Sequence, residues 1–149
     1  MENELRIIRT HVSFGEEQFT FLNSCSDHPI EDGYIFSKVF TAESELEDFL
    51  LLLQKHLSVS DAFLEETRQI CSDFFSKQHS LVLLFSDERS GSNRLTLTQA
   101  VVSGDRIHLE LERERGLTMD MAYLFLFYPL NSGSVHTSSA HITNQPSLF

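Results

Sequence analysis

The sequence predicts an α+β domain: an antiparallel meander sheet of about five or six strands, packed against one or two helices. Three observations lead there. Apolar residues recur at helical spacing between residues 41 and 77, and the period drops to two from Leu81 onward. Short polar turns separate the later apolar runs.

The elements follow in order. Leu5 to Val12 carries strand-like β-branched content, Glu17 to Leu22 is a short apolar-rich stretch, and Asn23 to Gly33 is a loop by composition. Tyr34 to Phe40 alternates as a strand. Thr41 to Leu57 predicts a helix, because Leu46, Phe49, Leu50, Leu53 and Leu57 fall on one stripe. Ser44 with Glu47 fits a capping box, and Thr41 is a second cap. Glu43, Glu45, Glu47 and Asp48 crowd the first turns and Lys55 and His56 the last, as the helix dipole favours.

A second helix runs from Ser60 or Asp61 to Lys77, with Phe63, Leu64, Thr67, Ile70, Cys71, Phe74 and Phe75 on its stripe. Leu81 to Phe85 is continuously apolar, as a central strand is. Ser86 to Asn93 is a turn, Leu95 to Val102 a strand, and Ser103-Gly104-Asp105 a hairpin turn. Ile107, Leu109 and Leu111 alternate with His108, Glu110 and Glu112, one face buried and one wet. Gly116 to Ala122 is a loop, and Tyr123 to Tyr128 a last apolar strand ending at Pro129.

From Asn131 to Phe149 the chain has no charged residue and few apolar ones, so burial is too small to offset the entropy of ordering. The domain organisation is therefore a single domain over 1–130 and a flexible C-terminal tail over 131–149.

The 149 residues are enough for a self-sufficient core. Eleven Lys+Arg against 22 Asp+Glu give a formal charge of −11, a field that repels phosphate backbones and anionic lipid. Direct nucleic-acid binding and membrane binding are not expected. The longest apolar run, Phe49 to Leu53, is far short of the ~20 residues of a membrane span. The chain opens Met1-Glu2-Asn3-Glu4 without the basic and apolar regions of a signal peptide, so the expected location is the cytoplasm.

No constellation for catalysis or cofactor binding is legible. His108, Glu110 and Glu112 share a strand face and read first as its solvated side; a divalent metal held by one nitrogen and two oxygens is the alternative. Cys25 and His28 have Cys-x-x-His spacing, but no second pair answers them, and structural zinc needs four ligands. Cys71 sits beside Ile70 and Phe74 as a small core residue. No phosphate loop, dinucleotide fingerprint or nucleophile elbow is present. No cofactor and no enzymatic activity are expected.

Several short motifs carry a resemblance: Glu45-Leu46 at a helix start, Asp73-Phe74-Phe75 at a helix end, Ser80-Leu81-Val82-Leu83-Leu84, Ser90-Gly91-Ser92, and Asp120-Met121-Ala122-Tyr123. Their order and spacing over residues 38–129 resemble the PrcB C-terminal-like domain of Firmicutes proteins, a family of small bacterial accessory domains. Together with the missing chemistry and the acidic charge, the resemblance points to a non-catalytic accessory or inhibitor-like domain that binds another protein through its sheet or the Gly116–Ala122 loop.

Gln145-Pro146-Ser147-Leu148-Phe149 resembles the pentapeptide by which bacterial replication and repair proteins bind the sliding clamp. In that likeness Leu148 and Phe149 fill an apolar pocket, Gln145 fixes register through its amide, and Ser147 occupies the Ser/Asp position. The residues from Asn131 to Asn144 would be the linker that gives reach.

Overall fold

The computed structural model describes residues 5–10, 12, 14–29, 36–76, 80–88, 93–117, 122–131 and 133–144, the Asp73 side chain excepted. In chain order the elements are β1 (Arg6–Thr10), α1 (Glu16–Cys25), β2 (Phe36–Phe40), α2 (Glu43–Leu57), α3 (Asp61–Ser76), β3 (Ser80–Glu88), β4 (Arg94–Ser103), β5 (Arg106–Glu114), β6 (Ala122–Leu130) and β7 (Thr137–Asn144). The fold is α+β.

β3 carries the continuous apolar run Leu81–Phe85 and β6 is apolar throughout, and the architecture buries both their faces. They lie side by side at the centre of a four-stranded antiparallel sheet of order β1-β6-β3-β2. Leu81, Leu83, Phe85, Phe125 and Phe127 point to one face and pack on Leu46, Leu50, Leu53, Leu57 and Phe63 of the helices. Val82, Leu84, Leu124 and Leu126 point to the other, where Ile107, Leu109, Leu111, Ala140 and Ile142 of a second sheet meet them. The result is three layers: helices, first sheet, second sheet.

That requirement corrects the expected single meander. A lone sheet backed only by helices would leave the Val82 and Leu124 face in water. Instead the β4–β5 hairpin leaves the first sheet and builds a second, of order β4-β5-β7, before β6 returns to pair with β1 and β3. The β5–β7 pair is parallel, with Ile107 opposite Ser138 and Leu111 opposite Ile142.

The predicted tail needs the larger correction. Residues 137–144 form β7, and Val135, Ser138, Ala140 and Ile142 are buried. Few apolar side chains suffice here because every second residue faces the core and the backbone ladder to β5 satisfies the polar groups. Residues 145–149 lie outside the described residues.

The helical segments follow their stripes. Leu50, Leu53 and Leu57 of α2 are wholly buried. Its start departs from the expected Ser44–Glu47 box: the Thr41 hydroxyl donates to Glu45 Oε1 at 3.1 Å, while Glu47 accepts from Arg68 Nε of α3 at 3.0 Å. Ser60 caps α3, its Oγ accepting from Phe63 N at 3.1 Å. The short stretch around Glu17 to Leu22 is the ten-residue α1, which buries Leu22.

One carboxylate joins the two sheets along an edge. Asp27, just after α1, accepts at Oδ2 from Val39 N (2.9 Å) on β2 and from Ser138 N (3.0 Å) and Ser138 Oγ (2.8 Å) on β7. Its own N–H donates to Ser37 O at 2.8 Å. The outer edge of β2 is thereby occupied by side chains and loop instead of being left open.

Candidate functional site

The outer face of the second sheet carries the densest group of chemistry-bearing side chains on described surface. Because β5 alternates, His108 and Glu110 point away from the core that holds Leu109 and Leu111. The parallel register sets Ser139 of β7 opposite His108 and His141 opposite Glu110. Four polar side chains therefore meet through the ladder itself.

His108 Nε2 lies 2.7 Å from Glu110 Oε1, and His141 Nδ1 lies 3.0 Å from Glu110 Oε2. The second nitrogen of His108, Nδ1, lies 2.7 Å from Ser139 Oγ. Both imidazoles are 43% exposed and Glu110 30%, so the group is open to solvent. Hydrogen bonds from His108 and then His141 hold the Glu110 carboxyl below its ordinary range. Such a chain can pass a proton from a hydroxyl to an imidazole that a carboxylate orients.

A second cluster lies between the sheets. Glu88, at the end of β3, is wholly buried. It takes a two-pronged contact from Arg113 of β5, Nε to Oε1 at 2.7 Å and Nη2 to Oε2 at 2.6 Å. Ser86 Oγ donates to Oε2 at 2.5 Å and Asn93 Nδ2 to Oε1 at 3.3 Å. Arg113 Nη1 also donates to Asn144 Oδ1 at 3.1 Å. With its donors satisfied within the core, this cluster is structural chemistry.

The residues singled out from the sequence are placed as follows. His108 and Glu110 come together as their spacing implied, but their third member is His141 and not Glu112. Arg113, which the sequence did not single out as a site residue, turns inward to Glu88. Cys71 is 1% exposed, and burial pushes its thiol up to about 12. Among the described residues no group of three or more His, Cys, Asp or Glu is arranged to hold a metal ion, Cys25 and His28 included. Gln145, Ser147, Leu148 and Phe149 fall outside the described residues, as do residues 118–121 of the predicted docking loop.

His141 and Ser139 were missed because they sit in the segment read as tail. A usable signal was present: Ser138, Ala140 and Ile142 alternate with Ser139, His141 and Thr143, the same period of two that identified β5.

Of the motifs behind the family resemblance, Glu45-Leu46 lies in the first turn of α2, Phe74-Phe75 in the last turn of α3, Ser80–Leu84 in β3 and Ala122-Tyr123 at the start of β6. Ser90-Gly91-Ser92 and Asp120-Met121 are outside the described residues. No family model matches the chain, and neither a curated protein nor a solved structure is found similar to it. No helix among the described residues is long and apolar enough to cross a membrane.

Proposed function

We propose that this chain is a non-catalytic protein-interaction module that offers the outer edge of β4 to an extended segment of a partner protein. The observation that carries the reading is β4 itself. It is ten residues long, sits at the end of its sheet, and is paired only with β5 among the described strands. Val101 and Val102, on opposite faces of the strand, are 44% and 54% exposed. A partner strand added there would complete the backbone ladder and cover both valines.

Charge bears on the kind of segment. In a chain of net charge −11, β4 contains no acidic residue and only Arg94, so an uncharged strand meets no local repulsion there, and the field of the whole chain disfavours an acidic one. The motif order that resembles PrcB C-terminal-like domains is in keeping with the same accessory role. The test is affinity purification from the native host with wild type, Val101→Lys and Val102→Lys side by side. A partner held by wild type and lost from both variants supports edge pairing. Identical partner sets in all three would refute it.

A second reading rests on Gln145-Pro146-Ser147-Leu148-Phe149, whose order resembles a sliding-clamp-binding peptide. Since β7 runs to Asn144, the peptide would leave directly from the sheet, with a reach of about 17 Å for five extended residues. Deleting residues 145–149 should abolish co-elution with a bacterial sliding clamp. Elution unchanged by the deletion, or no co-elution with the full chain, ends that reading.

A further inference from the structure

We propose that Ser139 is an activated nucleophile that accepts an acyl group from an activated ester. The inference goes beyond the docking role: the chemistry lies on β5 and β7 and the docking edge on β4, and a single self-acylation without turnover leaves the module non-catalytic.

The polarity of the hydrogen-bond chain is fixed by what each group can do. An ionised carboxylate only accepts. Glu110 is ionised at neutral pH, and hydrogen bonding from its two imidazoles favours that state. Both nitrogens that touch it must therefore carry protons: His108 Nε2 and His141 Nδ1. In the neutral form of His108, which has one N–H, Nδ1 then bears the lone pair. Its 2.7 Å contact with Ser139 Oγ is then the hydroxyl donating to a base. The order is Ser139 to His108 to Glu110, with His141 holding the second carboxylate oxygen.

These are the roles that activate a serine: nucleophile, base within hydrogen-bond reach, and a third group that orients the base and stabilises its protonated form. Here the base works through Nδ1 and is oriented through Nε2, and either ring nitrogen can serve. His141 fixes the plane of the carboxylate. The backbone register sets His108 opposite Ser139, so little side-chain freedom is lost in making the contact. With His108 and His141 each 43% exposed, a small ester can arrive without any element moving.

In the step itself, Ser139 Oγ attacks the carbonyl carbon while its proton passes to His108 Nδ1. The bond from the carbonyl carbon to the leaving oxygen breaks, and that oxygen takes the proton from Nδ1. The products are an ester on Ser139 and a free alcohol or phenol. Glu110 and His141 change neither charge nor bonding over the whole step.

The test uses the full chain with p-nitrophenyl acetate as probe, reading the release of p-nitrophenolate and mapping the acetyl group by peptide mass spectrometry. The expected result is a stoichiometric burst with the acetyl on Ser139. Ser139→Ala should abolish it, and His108→Gln should slow it on the order of 10²-fold, the lower end of what a positioned base contributes. Both positions are at the surface, and urea midpoints near wild type verify folding. Mapping on wild type alone decides the site, whatever the variants do. An acetyl group found on lysines, Cys25 or a histidine with none on Ser139 overturns the proposal. So does a burst rate unchanged in folded His108→Gln.

Discussion

Replacing Arg113 with methionine would leave the Glu88 carboxylate buried with its countercharge gone. The structure sets the size of that loss. Glu88 has no exposed side-chain surface, and Arg113 supplies its two shortest nitrogen contacts, 2.7 and 2.6 Å. Ser86 and Asn93 remain as neutral donors but cannot offset a full charge in the core. Removing one partner of a buried pair costs about 3–5 kcal/mol. Arg113 keeps 19% of its side chain exposed, so water can approach the vacated position, and the lower end is expected. At a urea dependence of about 2 kcal/mol/M, a loss of about 3 kcal/mol lowers the unfolding midpoint by roughly 1.5 M. Glu88→Gln combined with Arg113→Met removes the stranded charge yet keeps an acceptor for Asn93, with the new amide NH2 able to donate to Ser86 Oγ, so it should recover a good part of that loss. Equilibrium urea unfolding of wild type, both single variants and the double variant gives the coupling directly. A cost below about 1 kcal/mol for Arg113→Met, or additive single variants, would refute the view that this pair is an electrostatic tie between the sheets.

Three further outcomes are expected. At pH 8 a thiol with a pKa of about 12 has a thiolate fraction near 10⁻⁴, so Cys71 should resist a thiol reagent until urea is added while Cys25 reacts first; equal native rates would contradict the burial of Cys71. Thr67 is wholly buried and its hydroxyl has no hydrogen-bond partner among the described residues, so Thr67→Val should raise stability by about 1 kcal/mol in urea unfolding, and a loss would reveal a partner. Glu110 has a folded-state pKa below the ordinary value of 4.5, so its contribution is fully present above that value and is lost as pH falls through the folded one. The difference in urea midpoint between wild type and Glu110→Gln should therefore be larger at pH 5 than at pH 3; a difference that persists unchanged at pH 3 would contradict it.

The helices and the strand pattern of β5 were legible because one face of each is buried and the other wet, which writes a period into the sequence. The continuous apolar runs of β3 and β6 identified central strands, and their meaning went further: an antiparallel strand apolar on both faces needs a layer on each side, and the second sheet is that layer. β7 was hidden because its burial rests on Ala140 and Ile142 with serine and threonine between them, a composition shared with unstructured segments. Glu88 and Asp27 were hidden for a different reason. Their partners lie on other strands, and single-chain spacing carries no information about which carboxylate a distant arginine or amide will meet.

Asp27 and Ser138 are 111 positions apart, and β1 at the start of the chain finds its partner only in β6, where Arg6 faces Phe127. A ribosome releasing this polypeptide therefore delivers β1 and the oily Leu81–Phe85 segment well before β6, the strand that lies between them, exists. At about 5–20 residues per second, β3 waits roughly 2–8 s for β6 to emerge. Closure then depends on β7, the last of the described strands, reaching a carboxylate made 111 positions earlier.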